Sequence, residues 1–87
     1  MTTALAENPA VLDPMFMLTR GQRDALAAAA FFRHHRKVGG AWQLGEKRFA
    51  VATVNAVIRA GLLRMTANGL VVTQAGELAL EKIRRSA

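Results

Sequence analysis

Leu18, Gln22, Leu26, Ala29 and Phe32 recur at three- and four-residue spacing, the period of one face of a helix. Thr19 and Gln22 have the spacing of a capping box, in which a hydroxyl and an amide each satisfy a backbone donor left open at a helix start. With the strong helix formers that follow, this predicts a helix over about residues 20–36. Ala25, Ala27, Ala28, Ala30 and Phe31 make its middle apolar on every side, so it lies at the centre of the fold or against a second chain. Gly39 and Gly40 stop it, with Arg33, Arg36 and Lys37 placed to complement its negative end. Ala41 to Leu44 reads as a short strand. From Phe49 the helical period returns through Val51, Val54, Val57, Ile58 and Leu62, predicting a second helix over about 50–60 that Gly61 ends. Two short aliphatic and β-branched runs follow, Leu63–Thr66 and Leu70–Thr73, joined across Asn68-Gly69, a pair favoured in tight hairpins because both residues accept positive φ. Thr73 then caps a last helix over about 74–85, with Leu78, Ala79 and Ile83 toward the core and Glu77, Glu81, Lys82, Arg84 and Arg85 in water. Glu81 and Arg85, four apart, form a weak pair.

The start of the chain is different. Residues 1–12 show no sustained period and read as a mobile tail. Asp13-Pro14 has the form of an N-cap followed by proline at the first helical position, and starts one short turn through Met15 to Leu18. The division expected is a flexible tail over residues 1–18 and one folded domain over 19–87, since a chain of 87 residues builds a single core.

Composition narrows the chemistry. Cys is absent, which removes a disulfide framework, a thiolate metal site and a cysteine nucleophile together. The longest apolar run, Ala25 to Phe32, is far short of the roughly 20 residues that span a bilayer. Glu7 and Asp13 precede the first cation, Arg20, so no secretory signal is legible and the expected location is cytoplasmic. The carboxylates are scattered and the lone serine is Ser86, so no catalytic group is assigned and the chain is not read as an enzyme. His34 and His35 are adjacent and diverge by about 100° on a helix, which does not suit a shared metal. No cofactor is expected. Near the unperturbed imidazole pKa of about 6.5 the two histidines add to the basic cluster.

Charge is the strongest signal. The chain carries a formal +6, and residues 33–64 hold Arg33, Arg36, Lys37, Lys47, Arg48, Arg59 and Arg64 against Glu46 alone. Clustered arginine attracts polyanions, because each phosphate it neutralises releases condensed counterions. A basic surface of no particular aim is the alternative.

The run Thr53-Val54-Asn55-Ala56-Val57-Ile58-Arg59-Ala60-Gly61-Leu62-Leu63, followed by Leu70-Val71-Val72-Thr73-Gln74-Ala75-Gly76-Glu77-Leu78, resembles the winged helix-turn-helix superfamily of DNA-binding domains. The first stretch looks like a recognition helix and its exit into a wing strand, the second like the returning strand and the next helix. The resemblance covers about residues 19–85 and implies an α+β fold, a small winged helix of about three helices with a two- or three-stranded antiparallel sheet. The supporting helix of that family is reduced here, because Lys37 to Arg48 offers three glycines and no helical period.

What the resemblance implies is binding of double-stranded DNA, with the second helix presented to the major groove. Asn55 and Arg59 are then the candidates for base edges, Asn toward adenine and Arg toward guanine. Lys47, Arg48, Arg64, Arg33, Arg36 and Lys37 are candidates for phosphate, and Thr53 for phosphate or for its own backbone. A small transcription regulator or accessory DNA-binding protein fits this. The rival is a protein-interaction or dimerisation module, using the smooth ridge Ala52, Ala56 and Ala60 or Met15 to Leu18, with a homodimer or another protein as partner. Trp42 is read as a core anchor whose indole donor finds a carbonyl, and Phe31, Phe32 and Phe49 as core or interface.

Overall fold

A computed structural model describes residues 8–86 as five helices and two antiparallel sheets. In chain order these are α1 (Pro9–Leu12), α2 (Pro14–Met17), α3 (Arg20–Phe31), β1 (His35–Val38), β2 (Ala41–Leu44), β3 (Lys47–Ala50), α4 (Val51–Arg59), β4 (Leu63–Thr66), β5 (Gly69–Val72) and α5 (Gln74–Ser86).

Asn8-Pro9 and Asp13-Pro14 start the first two helices by the same device. Asn8 Oδ1 accepts the Ala10 N–H at 3.0 Å and Asp13 Oδ1 accepts the Phe16 N–H at 3.3 Å, while each proline contributes a φ already suited to a helix. The tail expected over residues 1–18 is therefore corrected in part. Residues 1–7 lie outside the described residues, but 8–18 are packed onto the domain, with Ala10, Val11 and Leu18 buried. Asn8 Nδ2 donates to the Ala60 carbonyl at 2.8 Å. Arg23 Nη1 donates to the carbonyls of Met15 and Leu18 at 3.0 and 2.8 Å, and Lys82 Nζ to that of Leu12 at 3.3 Å. Segments of four residues carry too few apolar positions for a period to show in the sequence, yet long-range cations and buried aliphatics fasten them.

The capping box forms as its spacing predicts, Gln22 N–H donating to Thr19 Oγ1 and Thr19 N–H to Gln22 Oε1 at 3.1 and 3.0 Å. Central helix α3 buries Leu26 with Ala25, Ala28 and Ala29, and the three alanines are small enough for a neighbouring element to approach closely. It ends at Phe31, five residues earlier than the sequence predicts. Phe32 turns to extended backbone, φ −93 and ψ 139, and its ring lies over Gly45, where an added Cβ would sit 2.2 Å from a ring carbon. The Phe32 ring is thereby placed against the β2-β3 turn instead of continuing the helix. Arg33, Arg36 and Lys37 thus lie outside α3 and complement no helix end, and Gly39-Gly40 is a hairpin turn, with Gly39 at φ 60, rather than a helix stop.

The first sheet has the order β1-β2-β3. His35, Leu44 and Lys47 form one row across it, Arg36, Gln43 and Arg48 the next, then Lys37, Trp42 and Phe49, then Val38, Ala41 and Ala50. Rows alternate between faces. Leu44 and Trp42 on the inner face are buried, at 0% and 5% exposure. The indole N–H of Trp42 meets no acceptor among the described residues, so the carbonyl partner expected for it is corrected and the ring is held by packing.

The second sheet is the β4-β5 hairpin, separate from the first. Thr66 pairs with Gly69, so the turn is Ala67-Asn68 rather than Asn68-Gly69. Only glycines among the described residues take positive φ, Gly69 at 129. Thr66 Oγ1 accepts the Asn68 N–H at 3.3 Å and donates to the Gly69 carbonyl at 3.1 Å, which closes this turn without a left-handed Asn. Gly69 is also needed for space, since a Cβ there would lie 2.9 Å from His35 Cβ. His35 Nδ1 accepts the Leu70 N–H at 3.0 Å, and Nε2 lies 2.6 Å from the Phe32 carbonyl. The tautomer that satisfies both carries its proton on Nε2, and through these bonds His35 bridges the two sheets.

Thr73 caps α5 as expected, accepting the Gly76 N–H at 3.0 Å and donating to the Gly61 carbonyl at 2.6 Å. The face α5 buries is Ala75, Ala79 and Leu80 with Ile83 at its edge, whereas Leu78, expected inside, is 37% exposed. Leu26, Leu44, Val54, Val57, Leu62 and Leu63 are fully buried and join α3, the first sheet, α4 and the β4-β5 hairpin in one core.

Candidate nucleic-acid interface

A strand sends successive side chains to opposite faces, and this sorts the basic residues of 33–50 in a way the sequence order hides. Arg36 and Arg48 stand on the outer face of the first sheet with Gln43 between them. Both arginines are exposed and Gln43 is half-buried, its Nε2 donating to the Gly45 carbonyl at 3.3 Å. Strands are spaced about 4.8 Å apart, so the two arginine Cα atoms lie roughly 10 Å apart. The remaining outer-face residues, Val38, Ala41 and Ala50, are short.

Lys37 and Lys47 leave from the other face, at its two rims. Lys47 lines a shallow groove of about 390 Å³ with Asp24, Ala27, Phe31, Phe32 and Arg84. Lys47 and Arg48, neighbours in sequence, therefore do not share a surface. Arg33 is exposed in the connection after α3, and Arg64 is exposed on β4 opposite Val71.

Helix α4 follows β3 directly, with Ala50 as an N-cap that offers no side-chain acceptor. Val54 and Val57 are its buried face. Ala52 and Arg59 are exposed, and Thr53, Asn55 and Ala56 are half-buried. Thr53 lies against the start of α3, its methyl 3.9 Å from where a Cβ on Gly21 would be. Arg59, Ala56 and Ala60 line an open groove of about 450 Å³ whose other wall is Asn8, Pro9, Met17, Leu18 and Gln22. The ridge expected to be free is flanked by the segment expected to be a tail.

Among the described residues the one salt bridge is Arg85 with Glu81, an exposed i,i+4 pair. Arg36, Arg48, Arg59 and Arg64 carry no carboxylate partner there, so their charge is directed to solvent. Leu12 on α1 and Met15, Phe16 and Met17 on α2 are exposed, Phe16 at 81%. Phe31, read as core or interface, is 78% exposed and meets Phe32 edge to face at 4.9 Å. No three His, Cys, Asp or Glu among the described residues gather as a metal site requires. No helix among them is long and apolar enough to cross a membrane. Comparison of the chain with protein-family models, with curated proteins and with solved structures finds no match.

Proposed function

We propose that the protein binds double-stranded DNA on a winged-helix-like scaffold, as a small transcription regulator or accessory DNA-binding protein. The observation that carries this reading is the set of exposed arginines, Arg36, Arg48, Arg59 and Arg64, none with a carboxylate partner among the described residues. Paired cations are neutralised at home, whereas unpaired ones gain by displacing counterions from a polyphosphate. The order α3, α4, wing hairpin, α5 supports the scaffold, with three strands standing where a winged helix has its supporting helix.

The test is fluorescence anisotropy of a labelled random-sequence duplex at several salt concentrations. The expected result is an affinity that falls steeply with salt, with a log–log slope reduced by about 1 for each phosphate-binding cation removed. An affinity too weak to measure even at low salt overturns the reading.

A second reading, a protein-interaction or self-association module, is favoured by Leu12, Met15, Phe16 and Met17, four large apolar side chains exposed together at the start of the described chain. Sedimentation of the wild type and of Phe16→Ser separates it from the first. A concentration-dependent oligomer that Phe16→Ser dissolves supports self-association, which is compatible with DNA binding by paired sites.

A further inference from the structure

We infer that the base-reading element is the outer face of the first sheet rather than α4, with Arg36 and Arg48 directed to guanines and Gln43 to an adenine between them. This rests on the DNA-binding reading above and assigns its specificity to residues otherwise counted as phosphate contacts or not counted at all.

Chemistry is the first support. Arg pairs with the O6 and N7 edge of guanine through two parallel donors, and Gln pairs with adenine through one acceptor and one donor. Gln43 spends one amide hydrogen on the Gly45 carbonyl, which fixes the side chain and leaves Oε1 and the second N–H for a base. Spacing is the second. The row from Arg36 to Arg48 spans about 10 Å across three strands, close to three base-pair steps of about 3.4 Å. Clearance is the third. Apart from this row the outer face carries only Val38, Ala41 and Ala50, and the Gly39-Gly40 turn beside it has nothing within 4 Å of either added Cβ. Arg36 and Arg48 are exposed on this face, and Gln43 lies half-buried between them.

The helix is less free. An α-helix with its side chains is about 10–12 Å across and fills a major groove about 12 Å wide. One flank of α4 faces Asn8, Pro9, Met17 and Leu18 across an open groove, and its C-cap residue is tied through the bond from Asn8 to Ala60. Asn55 is half-buried.

The experiment is selection of bound sequences from a randomised duplex library by the wild type and by Arg36→Lys, Arg48→Lys, Gln43→Leu, Asn55→Ala and Arg59→Lys. Each variant is first checked by its amide NMR spectrum and thermal melting. Lysine keeps the charge and loses the two-pronged donor geometry. The expected outcome is a motif with guanines on either side of an adenine. Arg36→Lys and Arg48→Lys each erase one guanine, by roughly 5- to 150-fold in relative affinity. Gln43→Leu erases the adenine, and the two α4 variants leave the motif intact. A motif altered by Asn55→Ala or Arg59→Lys and untouched by the sheet variants overturns the inference and keeps DNA binding. Salt-dependent binding with no enriched motif also overturns it, reducing the arginines to phosphate contacts. Failure of the wild type to bind any duplex at low salt removes the DNA reading, and the inference with it.

Discussion

The hairpin turned at Gly39-Gly40 and the hairpin turned at Ala67-Asn68 are both tight antiparallel connections, but their glycines sit in opposite surroundings. Gly39 takes φ 60 in open space, with nothing near an added Cβ, whereas Gly69 takes φ 129 under the His35 side chain. The β4-β5 hairpin is fastened: His35 holds the Leu70 N–H, Leu63 and Leu70 are buried, and Thr73 ties its exit to Gly61. The first sheet is fastened on one face only. Its inner face supplies Trp42 and Leu44 to the core while Arg36, Val38 and Arg48 on its outer face are exposed, and its turn is held where Gly40 accepts the Val51 N–H at 3.2 Å. Of the two, the β4-β5 hairpin is tied at more points, and the first sheet leaves Arg36 and Arg48 exposed.

Substitution can break this contrast at several strengths. Leu44→Ala on the inner face of the sheet should be the most damaging change, about 3 kcal/mol of stability by urea denaturation, because it leaves a cavity at a fully buried site. If the sheet were a loosely attached flap, the loss would be much smaller. Gly69→Ala should cost roughly 2–3 kcal/mol, since positive φ and contact with His35 act together, against about 1 kcal/mol for Gly39→Ala in its open turn. Equal losses at the two glycines would remove the contrast. His35→Phe fills similar space but leaves the Leu70 N–H without its acceptor, so thermal melting should show a loss of about 1–2 kcal/mol and hydrogen exchange should rise at Leu70 first. Arg36→Ala and Arg48→Ala should move stability by less than about 0.5 kcal/mol while weakening DNA binding. A large stability loss there would make these arginines structural.

The sequence discloses those elements whose signals are local. The capping box at Thr19, the period of α4, the Thr73 cap and the Asp13-Pro14 start all depend on residues within four positions of each other, and each forms. Elements ended or held by distant partners stay hidden. Where helix α3 stops, the Phe32 ring lies over Gly45, and no period within residues 20–36 contains that contact. His35–Val38, polar but for its last residue, matches no strand alternation until β2 is laid beside it. Leu78 fits the α5 period about as well as Leu80 does, and the neighbours of the helix decide between them. The candidate cations are legible in composition, but their division between two faces depends on strand register. Gln43 drew no attention as a site residue. The signal that could have found it is its place midway between two arginine-bearing strands, visible once Gly39-Gly40 is read as a turn.

The two lysines at the rims of the sheet have a consequence beyond any ligand. β1 and β3 each leave an outer edge with no strand paired to it in the sheet, and such an edge is a template on which another molecule can add a strand. Lys37 and Lys47 leave these edges on the face that carries Trp42 and Leu44. A strand added from another copy would have to cover an ammonium group while extending the apolar face, and would meet a second copy's lysines as it did so. Lysines on both edge strands therefore guard this small protein against adding strands edge to edge into aggregates.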